Sequence, residues 1–204
     1  MSLPIDFYFD FTSPYAYLMS EKIDDLAARH GRQVNWRPFL LGVAFQASGA
    51  SAFTRNSPKA PYLLRDFDRS ARLLGVPYTL PANFPLGTQN AARAYYWLQD
   101  HRPERARAFA HAVFRALFVA GRDISLPAEV IALVDDGDGG LGGDGEALAA
   151  ALTGQALKER LRAECAAAIV RGVFGAPFVF IDDEPFFGVD RLPQIERWLT
   201  GGGF

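Results

Sequence analysis

Apolar and polar residues alternate at the start of the chain, and this alternation predicts a strand that leads directly into a helix. Ser13 and Pro14 follow the strand, and the pair is typical of a helix N-cap and of a first helical position. The strand is predicted over about residues 4–11, because apolar side chains occupy every second position, the period of a half-buried strand. The positions are Ile5, Phe7, Phe9 and Phe11.

The next segment completes a β-α-β unit. The predicted helix spans about residues 14–30 and ends at Gly31, a residue type that commonly terminates helices. A second strand is predicted over about residues 33–39, where the sequence is Gln-Val-Asn-Trp-Arg-Pro-Phe. A strand, a crossover helix and a second strand in this order indicate parallel pairing with a right-handed connection.

The middle of the chain has helical spacing and little strand pattern. One predicted helix, at about residues 103–120, begins at Pro103 and carries an apolar stripe that we expect to be core. The stripe consists of Phe109, Val113, Phe114, Leu117 and Phe118. The other predicted helices are 58–75, 88–101, 126–135 and 146–170.

A glycine- and aspartate-rich stretch runs from Asp135 to Glu146. Its length resembles a calcium-binding loop, but Gly137 and Gly139 stand where such a loop needs side-chain oxygens. It also resembles a single turn of a glycine-rich calcium-binding repeat, and such repeats need neighbours. We therefore interpret the stretch as a flexible connector.

Strand pattern returns near the C-terminal end. Residues 178–181 are apolar throughout, as expected of a central strand. A turn at residues 182–184, a hairpin partner that starts at Pro185 and a helix over residues 192–199 follow.

The element order βαβ, helical block, ββα predicts an α/β protein with a thioredoxin-like core and a large helical insertion. Residues 1–40 and 170–204 would form the thioredoxin-like domain. Residues 41–169 would form the helical insertion domain.

The composition fits one domain, or one domain with a large insertion. Half of the 204 residues are hydrophobic, which is enough for a sizeable core. The net charge is −2 and no Lys/Arg cluster follows one face, so we expect no nucleic-acid partner. We recognise no leader and no apolar run of the roughly 18 residues that a membrane span needs. We therefore expect a cytoplasmic protein that does not enter a membrane.

The chain has one cysteine, Cys165, and therefore neither an intramolecular disulfide nor a Cys-x-x-Cys motif. Cys165 lies in an alanine-rich, helix-like stretch and is expected to be buried and unreactive. The three histidines are scattered and match neither a catalytic triad nor metal-ligand spacing. We therefore expect no metal site, and any reactive anion must come from a bound molecule.

Ser13 is the strongest candidate for chemistry. It lies where a strand ends and a helix begins, the corner at which thioredoxin-like proteins carry their attacking cysteine. Unpaired N–H groups and the helix dipole favour an anion at this position. The alternative is that Ser13 only caps its own helix, which is a common role for serine.

A second candidate segment contains Ala176 and Pro177. Two glycines, Gly172 and Gly175, precede it, and the predicted strand follows. In a thioredoxin-like architecture this proline is cis and faces the strand-to-helix corner. A cis turn would present the N–H and C=O of Ala176 to an extended peptide ligand. The alternative is an ordinary glycine- and proline-rich loop.

Charged residues supply further candidates. Asp190 stands before the last helix, where it either caps that helix or holds an ammonium group. Lys59 lies in a proline-rich segment and is either a solvated surface lysine or the partner of a ligand carboxylate. The nearby Asp66, Arg69 and Arg72 have the spacing of a charged helix face.

In this order and at these separations the segments resemble the 2-hydroxychromene-2-carboxylate isomerase family. That family is related to kappa-class glutathione transferases and to DsbA-like oxidoreductases. The resemblance covers nearly the whole chain and implies a fold of the DsbA and kappa glutathione transferase type. It is carried by Ser13-Pro-Tyr together with Gly-Val-Phe-Gly-Ala-Pro177 and Phe-Gly-Val-Asp190-Arg191.

The resemblance implies that glutathione binds between the serine corner, the proline loop and the insertion. Ser13 would donate its hydroxyl hydrogen to the glutathione sulfur and favour the thiolate. Ala176, ahead of cis-Pro177, would pair with the cysteinyl backbone. Tyr15 would lie near the thiol or simply pack.

The remaining implied contacts involve charged residues. Asp190 would hold the γ-glutamyl ammonium group, with Arg191 beside it in the same glutathione-binding segment. Lys59 would lie near a glutathione carboxylate.

The implied activity is a glutathione-dependent isomerisation of an aromatic-catabolism acid, in which glutathione is not consumed. Two alternatives are open: a kappa-class-like glutathione transferase or peroxidase, and a non-catalytic thioredoxin-like module that binds peptides. The expected partners are glutathione and a small aromatic substrate. Relatives of this family are often dimers, so a homodimer is implied by the resemblance alone.

Overall fold

The computed structural model describes residues 3–135 and 144–204. Strand β1 (Ile5–Phe9) leads into helix α1 (Pro14–Arg29), and strand β2 (Val34–Pro38) lies parallel to β1. The predicted β-α-β unit is confirmed, with each strand slightly shorter than the hydrophobic pattern indicated.

The last part of the chain adds two strands on the other side of β1. Strand β3 (Phe178–Ile181) is antiparallel to β1, with Phe7 opposite Val179, and strand β4 (Glu184–Phe187) is antiparallel to β3. Within the described residues the sheet order is β2-β1-β3-β4. Because β1 pairs with a strand on each side, the position of its C-terminal end is fixed, and Ser13 follows that end.

Helices occupy the chain between the two halves of the sheet, and the predicted order βαβ, helical block, ββα is confirmed. A 3₁₀ turn (Val189–Arg191) and helix α9 (Leu192–Gly201) follow β4. The helices between β2 and β3 are α2 (Leu41–Ser48), α3 (Ala60–Leu74), α4 (Gln89–His101), α5 (Pro103–Phe118), α6 (Pro127–Asp135), α7 (Asp144–Thr153) and α8 (Gln155–Val170).

Two helices differ from the sequence prediction. The pattern does not predict α2, because this helix is short and its N-cap, Leu40, has no side-chain oxygen to mark the start. Residues 146–170 are helical as predicted, but they belong to two helices, a division that the pattern did not show. Gly154 separates them with an extended backbone (φ −67°, ψ 159°).

Aromatic rings join the sheet to the helices in the core. Phe9 of β1 packs against Trp36 of β2, with ring centroids 5.3 Å apart, and against Phe114 of α5 at 5.5 Å. The predicted apolar stripe of α5 is buried throughout, which confirms that it is core. One cluster of buried residues thus runs through both predicted domains, and the division at residues 40 and 170 stays a prediction.

The glycine- and aspartate-rich stretch, predicted to be a flexible connector, lies mostly within residues 136–143. These residues are outside the part of the chain that the structure describes. Within residues 3–135 and 144–204, no three His, Cys, Asp or Glu side chains are arranged to hold a metal ion. In the same part of the chain, no helix combines the length and the apolar character that crossing a membrane requires.

Candidate active site

Ser13 lies at the corner between β1 and α1. Its backbone is extended (φ −85°, ψ 114°), and its hydroxyl oxygen accepts a hydrogen bond from the N–H of Ala16 at 3.2 Å. Pro14 follows in the first turn of α1, as the N-terminal pattern predicted. Ser13 therefore caps its own helix, as the alternative interpretation held, but capping uses only the oxygen and leaves the hydroxyl hydrogen for another partner.

The hydroxyl hydrogen of Ser13 is directed to the second candidate segment. The Ser13 Oγ donates to the carbonyl oxygen of Ala176 at 3.2 Å, and both residues are buried. The Ala176–Pro177 peptide bond is cis, as the resemblance implied. The fold thus brings Ser13, Ala176 and Pro177 together from opposite ends of the chain.

A cavity of about 540 Å³ opens beside Ser13 and Ala176. Its volume falls in the range of roughly 300–1,000 Å³ that is common for small-molecule sites. The wall is mostly apolar and includes Phe45, Phe53, Phe67, Phe84, Phe174 and Phe187. The polar side chains in the wall include Asp10, Thr12, Ser13, Tyr15, Thr88 and Gln89.

Tyr15 lies in the cavity wall two residues after Ser13. Its hydroxyl donates to the carboxylate of Asp66 on α3, and its ring packs on Phe67 with centroids 4.9 Å apart. Burial and the Asp66 carboxylate both raise the pKa of Tyr15 above its ordinary value of 10.0. Tyr15 is therefore a neutral hydroxyl that fixes α3 against the serine corner.

The contact between Asp66 and Tyr15 gives α3 a role that the sequence pattern did not predict. Asp66 was predicted to lie on a charged helix face, where it pairs with Arg69, and it also accepts a hydrogen bond from Tyr15. Burial alone would raise the pKa of Asp66, but the hydrogen bonds from Tyr15 and Arg69 bring it below its ordinary value. Arg72 does lie on an exposed face, where it pairs with Asp68 at 3.1 Å.

Asp10 is a wall residue that sequence reasoning missed. Its carboxylate accepts hydrogen bonds from the N–H of Thr12 (3.0 Å), the N–H of Leu41 (2.7 Å) and the hydroxyl of Thr88 (2.6 Å). Burial raises the pKa of Asp10, and the three hydrogen bonds oppose that rise. The alternation gave no signal for it, because Asp10 stands between Phe9 and Phe11 at a position where a half-buried strand is expected to carry a polar residue.

Asp190 and Arg191 lie near the proline segment but outside the cavity wall. The N–H of Gly188 donates to the carbonyl of Pro177 at 3.0 Å, which places the 3₁₀ turn beside that segment. Asp190 is exposed on 67% of its side chain and pairs with Arg191. No side chain caps α9, so the interpretation of Asp190 as a helix cap is wrong.

Lys59 is exposed and does not line the cavity. It precedes α3 without capping it. It belongs to the segment between Phe53 and Leu63, two residues that do line the cavity. The structure therefore does not place Lys59 in the cavity wall with Ser13.

Cys165 is buried, as predicted. Its sulfur accepts a hydrogen bond from the N–H of Leu40 at 3.3 Å, and burial raises the pKa of its thiol. A buried thiol with a raised pKa is a poor nucleophile. Cys165 therefore packs behind the cavity and is not a reactive group in it.

Comparisons with known proteins show which family and which relatives this chain resembles. Residues 4–200 match the family model of the DSBA-like thioredoxin domain. The chain is 35% identical to a 2-hydroxychromene-2-carboxylate isomerase of Sphingobium xenophagum, over 98% of this chain and 99% of that protein. It is 26% identical to glutathione S-transferase kappa 2 of Caenorhabditis elegans, over 96% of this chain and 91% of that protein.

The fold also matches a solved structure. The structure of a selenomethionine 2-hydroxychromene-2-carboxylate isomerase superposes with a TM-score of 0.84 at 32% identity. The match covers 97% of this chain and 95% of that one. The predicted thioredoxin-like fold of the DsbA type is therefore confirmed.

Proposed function

Since this chain belongs to the 2-hydroxychromene-2-carboxylate isomerase family and is an isomerase, we propose that it uses glutathione to isomerise a conjugated aromatic acid. The substrate would be of the 2-hydroxychromene-2-carboxylate type, as in the relatives. The observation that carries the proposal is the Ser13 hydroxyl, which lies at a helix N-terminus, beside a large apolar cavity and against the Ala176 carbonyl.

The residues at this corner fit a bound thiol tripeptide. A thiolate needs a hydrogen-bond donor and a positive electrostatic environment, which the Ser13 hydroxyl and the N-terminus of α1 provide. A peptide also needs backbone to pair with, which Ala176, next to the cis peptide bond, offers at the cavity wall. The chemistry that bound glutathione would supply is reversible addition of its thiolate to a conjugated carbon.

Ser13 acts on the protonation state of the bound sulfur. An ordinary thiol has a pKa near 8.5 and is only a few per cent ionised at neutral pH. A hydrogen bond to a charged acceptor contributes about 1.5–3 kcal/mol and a neutral one about 0.5–1.5 kcal/mol. Moving the Ser13 hydrogen from the Ala176 carbonyl to a thiolate therefore gains about 1 kcal/mol. A gain of this size lowers the pKa of the thiol by about 0.7.

The charged residues near the proline segment would orient the tripeptide. Asp190 would pair with the γ-glutamyl ammonium group after its contact with Arg191 opens, and both are accessible to a ligand. Lys59 would approach a carboxylate of glutathione. These contacts would set affinity, whereas Ser13 would set reactivity.

The apolar part of the cavity would take the second substrate. Its phenylalanine side chains exclude water and offer ring faces to a flat aromatic molecule. Excluding water also strengthens the hydrogen bond that Ser13 makes to a charged sulfur. The wall of the cavity therefore serves both recognition of the aromatic acid and stabilisation of the thiolate.

The test is Ser13→Ala, assayed with 2-hydroxychromene-2-carboxylate and limiting glutathione. Wild type should need only catalytic glutathione and return it intact. Ser13→Ala should lower kcat by about fivefold at neutral pH, because the net gain of about 1 kcal/mol that favours the thiolate is lost. The dissociation constant for glutathione, measured by calorimetry, should change much less.

Ser20→Ala is the matched control. Ser20 is also buried in α1, and its hydroxyl donates to the carbonyl of Tyr17 at 2.7 Å, away from the cavity wall. Its loss should leave kcat unchanged. Equal activity of Ser13→Ala and wild type at neutral pH would refute the proposed role of Ser13.

A second candidate function is glutathione transfer to an electrophile. The observation that favours it is the match to a glutathione S-transferase of the kappa class over nearly the whole chain. The same corner would serve both reactions, and only the acceptor differs. Stoichiometric consumption of glutathione, as a conjugate or disulfide, would favour the transferase over the isomerase.

A further inference from the structure

We propose that Asp10 is a positioning residue that fixes one side of the cavity relative to Ser13. This side consists of residues 40–45 and 84–89, is proposed to bind the second substrate, and is called the acceptor side. The inference rests on the proposed function, because it assigns to Asp10 the alignment of the second substrate with the sulfur. The carboxylate does not itself act on the substrate in this proposal; it acts through the segments that it joins.

Asp10 joins three segments that are far apart in sequence. Its Oδ1 accepts from the N–H of Thr12 at 3.0 Å and from the hydroxyl of Thr88 at 2.6 Å, and its Oδ2 accepts from the N–H of Leu41 at 2.7 Å. The backbone carbonyl of Asp10 also accepts from the N–H of Ser13 at 2.9 Å. Only 3% of Asp10 is exposed, so water does not compete for these bonds.

Each of the three segments contributes to the cavity wall. The strand end supplies Asp10, Thr12 and Ser13, which form the side of the cavity proposed for the sulfur. The other two segments supply the side proposed for the acceptor: Leu40, Leu41, Gly42 and Phe45 in one, and Phe84, Pro85, Leu86, Gly87, Thr88 and Gln89 in the other. A single carboxylate therefore ties both acceptor segments to the serine corner.

Asp10 also contacts the first residues of two helices. The residue before α2, Leu40, has no capping side chain, and the first N–H of that helix, on Leu41, goes to Asp10. Thr88 stands at the N-cap of α4, yet its hydroxyl makes no capping bond and donates to Asp10 instead. Asp10 thus links the starts of α2 and α4 to the end of β1.

Only a carboxylate satisfies this arrangement. The two backbone donors, on Thr12 and Leu41, meet different oxygens of Asp10, and a backbone N–H cannot reverse its polarity. An asparagine would present an NH₂ group to one of them, whichever way its amide is turned. The Thr88 hydroxyl, by contrast, can either donate or accept.

The experiment compares Asp10→Asn, Thr88→Val and Thr88→Ser with wild type. Thr88→Val keeps the shape of the side chain and removes one donor to Asp10, which makes it the informative variant if Asp10→Asn fails to fold. We expect Thr88→Val to raise KM for the acceptor about tenfold, since small misplacements of a substrate have large kinetic effects. The dissociation constant for glutathione should stay within about twofold of wild type.

Thr88→Ser keeps the hydroxyl and should recover most of the loss. A role limited to stability would lower the melting temperature of Thr88→Val without separating the acceptor KM from glutathione affinity. Equal acceptor KM in Thr88→Val and wild type would overturn the inference, and so would an equal loss in Thr88→Ser and Thr88→Val.

A second readout does not depend on turnover. Amide hydrogen exchange should quicken over residues 41–48 and 89–93 in Thr88→Val relative to Thr88→Ser, because Asp10 then holds these helix starts less firmly. Unchanged exchange in both segments would overturn the inference even if wild type proved inactive. Absence of turnover in wild type would refute the proposed function alone.

Discussion

The two sides of the cavity are built in different ways. The side with Ser13 and Ala176 comes from the ends of β1, α1 and β3, so hydrogen-bonded backbone fixes it. The acceptor side comes from residues 40–45 and 84–89, a short helix and loops that depend on side-chain contacts. The difference teaches that side-chain substitutions can alter the acceptor side while the backbone of the serine corner stays in place.

Removing the aromatic ring of α3 that packs against the acceptor side should give the largest effect on stability. Phe67 is 4% exposed and packs against the rings of Tyr15, Phe53 and Phe84. We expect Phe67→Ala to lower the free energy of unfolding by about 3–5 kcal/mol, since it deletes a buried ring and leaves a cavity. Urea denaturation measures the loss, and in folded protein the acceptor KM should rise far more than the glutathione dissociation constant.

Leu73→Ala is the control for Phe67→Ala, because Leu73 lies on the same helix but is 84% exposed. Its free energy of unfolding should stay within about 0.5 kcal/mol of wild type. If Phe67→Ala weakened glutathione binding as much as acceptor binding, the two sides would not be separable as described.

Removing one hydroxyl at the boundary between the two sides should give a smaller effect. Tyr15→Phe keeps the ring on Phe67 and deletes the bond to Asp66. We expect a loss of about 1 kcal/mol in the free energy of unfolding, together with a several-fold rise in the acceptor KM because α3 is held less firmly.

Tyr17→Phe provides a matched comparison for Tyr15→Phe. Its hydroxyl donates to the carbonyl of Pro77 at 2.6 Å, and Tyr17 does not line the cavity. It should lose similar stability in denaturation experiments and leave the acceptor KM unchanged. A similar rise of KM in both variants would argue against a specific role for the Tyr15–Asp66 contact.

The smallest expected effect concerns the contact that stabilises α1, the helix that Ser13 caps. His111 of α5 lies 3.5 Å from Glu21 and 3.7 Å from Asp24 of α1. Burial alone would lower the pKa of His111, but these carboxylates raise it above its ordinary value of 6.5. The stabilisation is therefore present below pH 6.5 and is lost as the pH rises through the raised pKa.

We expect the free energy of unfolding to fall by about 1 kcal/mol or less as the pH rises from about 6 to about 8. Chemical denaturation at a series of pH values measures this change, and His111→Gln should flatten it. An identical pH dependence in wild type and His111→Gln would show that the contact does not support α1.

The serine side could be predicted from the sequence because its signals are local. An alternating strand that ends at Ser13-Pro14 and a proline at the start of a strand carry most of the information. The acceptor side could not be predicted, since α2 has no capping residue and its start depends on Asp10, 31 residues earlier. The contact of Asp66 with Tyr15 could not be predicted for the same reason, because the two residues lie 51 positions apart in the chain.

The hydrogen bond from Ser13 to the Ala176 carbonyl acts as an internal competitor. Any guest must attract that hydrogen more strongly than a peptide carbonyl does, and an anionic sulfur meets this condition. A thioether is a weak acceptor, so an S-alkylated tripeptide would leave the hydroxyl with Ala176. In the proposed function the corner would therefore distinguish an anionic sulfur from a neutral one by its charge.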